Sequence, residues 1–180
     1  GDRLPRGLHL RIYLAGFALT ATPAKVGENL RAMSLGARGV PVKHSFAAFV
    51  VERLGDVIAM VLLSGLAFRL VADRSWLLVL STLLTLLALW ILRSPGLPGW
   101  LRRRTPSSGL LHRAGEGIAG VLQVAGDLLT FRLLALGVGI ALLAWGAEGV
   151  TFGLLAHWMG IEVSVWTAVG IFAVATLLGA

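Results

Sequence analysis

FAAFVVERLGDVIAMVLLSGLAFRLVADRSWLLVLSTLLTLLALWIL, residues 46–92, decides the fold. It is two apolar runs, 46–71 and 76–92, parted by a tight turn at Asp73, Arg74 and Ser75. A helix rises about 1.5 Å per residue, so each run is about long enough to cross a hydrocarbon core roughly 30 Å thick. Residues 132–157 and 164–180 repeat the pattern as a third and a fourth span, with Gly160, Ile161 and Glu162 in the loop between them. Apolar residues stand all round each segment, as expected where one side meets lipid and the other meets neighbouring helices. Gly137, Gly139, Gly146, Gly149 and Gly153 allow close backbone approach between such helices. The whole chain agrees: 57% of its residues are hydrophobic and 14% charged, against about 25% charged in a soluble domain. The fold class expected is all-α, a polytopic transmembrane helical bundle.

Between the second and third spans, Pro95, Gly96, Pro98 and Gly99 break regular structure, and Arg102, Arg103 and Arg104 form a cationic cluster. Residues 93–113 therefore read as a solvent loop. The positive-inside rule places that loop in the cytoplasm and the chain in an inner or plasma membrane, multi-pass. Residues 114–131 carry Ile118, Val121, Leu122, Ala125 and Leu128 at helical spacing, with Glu116, Gln123 and Asp127 among them, which suggests a short interfacial helix. Residues 8–38 are different. Their apolar stretch is only Leu8 to Thr22, and basic residues flank it on both sides. A re-entrant helical hairpin satisfies the charge rule, turning at Thr22, Pro23 and Ala24, with Pro23 in the first turn of the outgoing helix, where its missing N–H costs nothing. Residues 1–180 read as one membrane domain and as a fragment, since the chain starts at Gly1 without methionine and stops at Ala180 inside an apolar run.

Ionisable residues inside apolar sequence are costly, about 2.5–3.5 kcal/mol each at bilayer centre, and so are candidates for function. Lys25, Glu28 and Arg31 recur every third residue along one inclined helix face. Glu52 and Asp56 share a face at i, i+4 in the first turns of the 46–71 span, and Arg53 reaches Asp56 at i, i+3. Glu148 stands alone in the middle of the third span. The plainer alternatives are that Lys25, Arg31 and Arg38 only snorkel to headgroups, and that Glu52, Arg53 and Asp56 form a structural ion-pair set. Arg38 is left out of the candidate site on that ground. The sequence has no cysteine, which excludes disulfides, thiolate metal sites and thiol nucleophiles. His44, His112 and His157 lie too far apart for a recognisable metal site, no serine has a triad context, and no phosphate-binding glycine loop occurs. No cofactor and no metal is expected. The net charge of +7 sits beside apolar segments, so nucleic acid is not an expected partner.

Residues 22–63, TPAKVGENLRAMSLGARGVPVKHSFAAFVVERLGDVIAMVLL, resemble the transmembrane region of lysylphosphatidylglycerol synthases and the flippase-like membrane proteins around it. The matching features are Pro23, Gly27, Glu28 and Arg31, the Gly-x-Pro turn at Gly39 and Pro41, the Glu-Arg-x-x-Asp helix start at Glu52, Arg53 and Asp56, and Trp145 with Glu148 in a later helix. The resemblance is strong over residues 12–63 and looser beyond. It implies a polytopic helical protein of lipid biogenesis, whose best-understood relatives move aminoacylated phospholipid between leaflets and whose others accompany glycolipid, hopanoid or polyprenyl-lipid pathways. Partners implied are a lipid with an anionic headgroup or of polyprenyl-phosphate type, and a lipid-modifying synthase or glycosyltransferase. The family's first helices are absent from this sequence, and so is its soluble aminoacyl-transferase domain.

Three functions are compatible with these residues. The favoured one is a flippase-like protein whose Pro23 element, Lys25, Arg31 and Arg53 receive a lipid phosphate while Glu28, Glu52, Asp56 and Glu148 balance charge. The second is an intramembrane enzyme acting on a lipid-linked substrate, with Glu28 or Glu52 as general base. The third is a non-transporting scaffold for a lipid synthase, in which the charges are structural.

Overall fold

A computed structural model describes residues 7, 11, 14, 36, 37, 39–67 and 75–179. Every regular element among them is helical: α1 Val42–Ser64, continued by a 3-10 turn Gly65–Ala67, α2 Ser75–Arg93, α3 Leu97–Arg104, α4 Leu110–Leu128, α5 Phe131–Trp158 and α6 Val165–Gly179. α1 is the hub. It packs against α4, α5 and α6 and more lightly against α2, while α5 pairs with α6 and α3 with α4.

Local chemistry sets the ends. α5 starts where Thr130 Oγ1 accepts from the Leu133 N–H at 3.3 Å, supplying one of the amides that no earlier carbonyl can reach. It stops at Gly160, whose φ of +80° lets its own N–H reach the His157 carbonyl at 2.9 Å and the Ile161 N–H reach the Ala156 carbonyl at 3.0 Å. That paired closure needs a left-handed residue, which glycine supplies without strain. α6 begins with Ser164 Oγ accepting from the Thr167 N–H at 3.1 Å.

The interior is made of small side chains. Ala47, Ala59, Ala125, Ala168 and Ala173 are wholly buried, whereas Leu143, Phe131 and Trp158 are 78–84% exposed. Water would drive the large groups inward; helices in lipid instead gain from close backbone contact at small residues. A Cβ placed on Gly55 of α1 would stand 3.7 Å from the Gly137 carbonyl carbon of α5. α5 is 28 residues long and apolar enough to cross a membrane, and only 11% of its most apolar stretch is buried, unlike the mostly buried core helix of a soluble domain.

Several sequence expectations shift. Among the described residues α5 is the one helix that meets the length and apolarity of a span by itself, and a second arises only if α2 and α3 count as one bent span. α1 has the length, but each of its 18-residue stretches includes Glu52, Arg53 and Asp56; α6 has 15 residues. The first apolar run starts earlier than residue 46, at Val42, and its α-helix gives way to the 3-10 turn at Gly65; 68–74 lie outside the described residues. The stretch 93–113 is not all loop. It holds α3 and the start of α4, because Pro98 occupies the first turn of α3, where proline's lack of an N–H does no harm. The helix expected at 114–131 spans Leu110–Leu128 and packs on α1 as well as α3. The re-entrant hairpin expected at 8–38 falls almost wholly outside the described residues.

Candidate functional site

Phe49, Arg53 and Asp56 are spaced at i, i+4 and i+7 and so fall on one face of α1. Arg53 Nη2 meets Asp56 Oδ2 at 3.0 Å, and the Arg53 guanidinium lies 5.5 Å from the centre of the Phe49 ring, within cation–π range. The second carboxylate oxygen is used too: Trp145 Nε1, on α5, donates to Asp56 Oδ1 at 3.1 Å. Asp56 thus joins two helices and fixes the guanidinium in the same act. The indole is itself backed by Phe172 of α6, ring centres 6.5 Å apart, and Phe172 in turn touches Phe152 at 6.1 Å.

Arg53 Nε is buried and has no hydrogen-bond partner among the described residues, although the side chain as a whole is 40% exposed. The same residue borders a groove of about 400 Å³ between α1, α2 and α6, otherwise lined almost wholly by apolar groups that include Val50, Leu54, Val57, Leu84 and Leu177. On the other side of α2 a second apolar groove of about 400 Å³ runs along Ile58, Leu62, Leu86 and Val138. Thr85 borders both, with its hydroxyl donated to the Ser81 carbonyl at 2.7 Å, so it offers the grooves little polarity.

The structure therefore brings together Arg53 and Asp56 of the residues singled out from sequence, and adds Trp145 and Phe49. Glu52 is exposed on α1, one turn before Asp56. Glu148 is exposed one turn beyond Trp145 and has no ion-pair partner among the described residues. Lys25, Glu28 and Arg31, with the turn residues Pro23 and Gly27, lie outside the described residues. No group of three or more potential metal ligands occurs among the described residues. The role of Trp145 was missed from the residues alone, although it stands i, i+3 from Glu148 in the matching family feature; only the approach of α1 to α5 reveals what the indole binds.

A family model described as the lysylphosphatidylglycerol synthase TM region matches residues 1–180. No curated protein and no solved structure matches the chain.

Proposed function

Because the chain belongs to the lysylphosphatidylglycerol synthase TM-region family, and is thus a membrane protein, we propose that it binds an anionic phospholipid or lipid-linked intermediate and passes it between leaflets. The observation that carries this reading is Arg53, held by Asp56 and Phe49 at the edge of an apolar groove. Hydrocarbon chains favour apolar walls, and a guanidinium binds a phosphate with two charge-assisted hydrogen bonds that gain strength where water is scarce. The Arg53 side chain is 40% exposed, which leaves its guanidinium open to such a group. Asp56 and Trp145 act through Arg53: they hold it in place and do not themselves bind the headgroup.

In the full arrangement the helices form a multi-pass bundle in an inner or plasma membrane. The re-entrant element at Pro23 and Gly27 brings Lys25 and Arg31 to the same phosphate, and Glu28, Glu52 and Glu148 balance the cationic charge.

Leaflet exchange of fluorescent lipids by the reconstituted full-length protein tests this. Arg53→Ala is expected to slow exchange of an anionic lipid about tenfold or more, the equivalent of losing one charged hydrogen bond, and Glu148→Gln is expected to slow it several-fold. Chemical change of the lipid would make the protein an enzyme instead, and undiminished exchange in both variants would overturn the reading.

A further inference from the structure

The arginine cluster at 102–104 is divided between two faces of one short helix, and the division is informative. α2 and α3 meet at a bend of 76°. Pro95 cannot donate the amide that would continue α2, and Ser94 closes it instead with a hydrogen bond to the Ile91 carbonyl at 3.2 Å. Contacts to both arms of the bend hold it against α4. A Cβ on Gly126 would stand 2.8 Å from the Leu92 carbonyl oxygen, so α4 touches the end of α2 there, and Gly115 packs directly on the Thr105 side chain. Between them Arg102 is spoken for, with Nε 3.3 Å from Glu116 Oε2 and Nη2 donating to Gln123 Oε1 at 3.1 Å.

Pro98, Leu101, Arg102 and Thr105 thus form the inner face of α3, at i, i+3, i+4 and i+7. Trp100, Arg103 and Arg104 form the outer face, at i, i+3 and i+4. All three outer residues are exposed, and the Arg104 guanidinium lies 5.4 Å from the Trp100 ring centre. Neither Arg103 nor Arg104 has a carboxylate partner among the described residues. Over residues 93–127 five arginines face two carboxylates, and one of those carboxylates is engaged by Arg102. Behind α3 a cleft of about 460 Å³ is bordered by Arg93, Gln123 and Asp127, groups that need water, so the bend sits at a membrane–water boundary. Beside it Leu110 and Leu111 are 83% and 69% exposed, an apolar pair suited to the acyl edge of that boundary.

We propose that the outer face of α3, Trp100 with Arg103 and Arg104, is a docking surface for anionic phospholipid headgroups of the leaflet in which the bend lies. Tryptophan favours headgroup depth, and basic side chains held there attract an anionic leaflet by about fivefold per charge. The surface is separate from the Arg53 groove and does not depend on translocation. Its role is to hold the α2–α3 elbow at a fixed depth while anchoring the polar end of α4.

The test uses full-length protein exposed to equal amounts of phosphatidylglycerol and phosphatidylcholine, with retained lipid counted by native mass spectrometry. Preference for phosphatidylglycerol is expected to fall about 25-fold at this surface in the Arg103→Gln/Arg104→Gln variant, and by the same factor in an Arg53→Ala background, which removes the other proposed headgroup site. Arg103→Lys/Arg104→Lys is expected to keep the preference. The unaltered protein gives an independent reading if the glutamine variant does not fold. Raising salt from 0.1 M to 1 M shortens the screening length from about 10 Å to about 3 Å, and the preference should weaken accordingly. Equal retention by parent and glutamine variant, or a salt-independent preference, would overturn the proposal.

Discussion

Asp56→Ala is expected to cost about 2 kcal/mol of stability and to cut leaflet exchange of an anionic lipid at least tenfold. One carboxylate serves both helices: Arg53 on one oxygen and the Trp145 indole on the other. Its removal leaves a cation and an N–H donor unpaired together. Breaking a fully buried pair costs about 3–5 kcal/mol; Arg53 is 40% exposed and Asp56 20%, which brings the figure down. Asp56→Asn separates the two duties. An amide oxygen still accepts from the indole, so the α1–α5 contact should survive and the thermal midpoint should move little. The charge that orients Arg53 is gone, so exchange should still fall. Thermal unfolding in detergent beside exchange in vesicles checks this, and equal loss of both properties in the asparagine variant would contradict the division of roles.

The second large effect is steric. Gly170→Leu is expected to destabilise the fold by about 3 kcal/mol, a fall of about 10 °C in the thermal midpoint for a chain of this size. A Cβ at residue 170 would overlap the Ala67 backbone nitrogen and stand 2.7 Å from Ala67 Cβ. Neither atom can rotate away, since one is backbone and the other is the first atom of a side chain that is 1% exposed. Relief requires α6 to separate from the turn that ends α1, which also disturbs Phe172 behind Trp145. By contrast Gly146→Ala, on the neighbouring helix at a position with nothing within 4 Å of the added Cβ, should leave the midpoint nearly unchanged. A midpoint for Gly170→Leu within 2 °C of the parent, measured by the same unfolding scan, would mean the contact is not closely packed.

What the sequence could reveal follows the range of the interaction. α5 was legible because a long apolar segment declares itself residue by residue, and the Arg53–Asp56 pair was legible because i, i+3 spacing brings side chains together on any helix. α3 was not, because Pro95, Gly96, Pro98 and Gly99 look like breakers until Pro98 is seen in a first turn, and its pairing with α4 depends on Glu116 and Gln123 much later in the chain. Trp145 and Asp56 are 89 positions apart, and their hydrogen bond exists only because α1 packs against α5. Glu148 was legible as an ionisable residue in an apolar segment, but its surroundings were not. A carboxylate in an apolar segment suggested convergence on Arg53, yet among the described residues it is Trp145, on the adjacent turn, that reaches the α1 charges, while Glu148 stays exposed.

The central claim is that a positive charge at position 53 meets the lipid phosphate. The sequence has no cysteine, so an Arg53→Cys variant, in a full-length background free of other cysteines, can be labelled there alone. Modification with an ethylammonium thiosulfonate restores a cation, and modification with a sulfonate of similar size installs an anion. Exchange of an anionic lipid should be low in the unlabelled variant, rise several-fold with the ammonium label and stay low with the sulfonate. Equal exchange under both labels would show that charge at this position does not handle the headgroup.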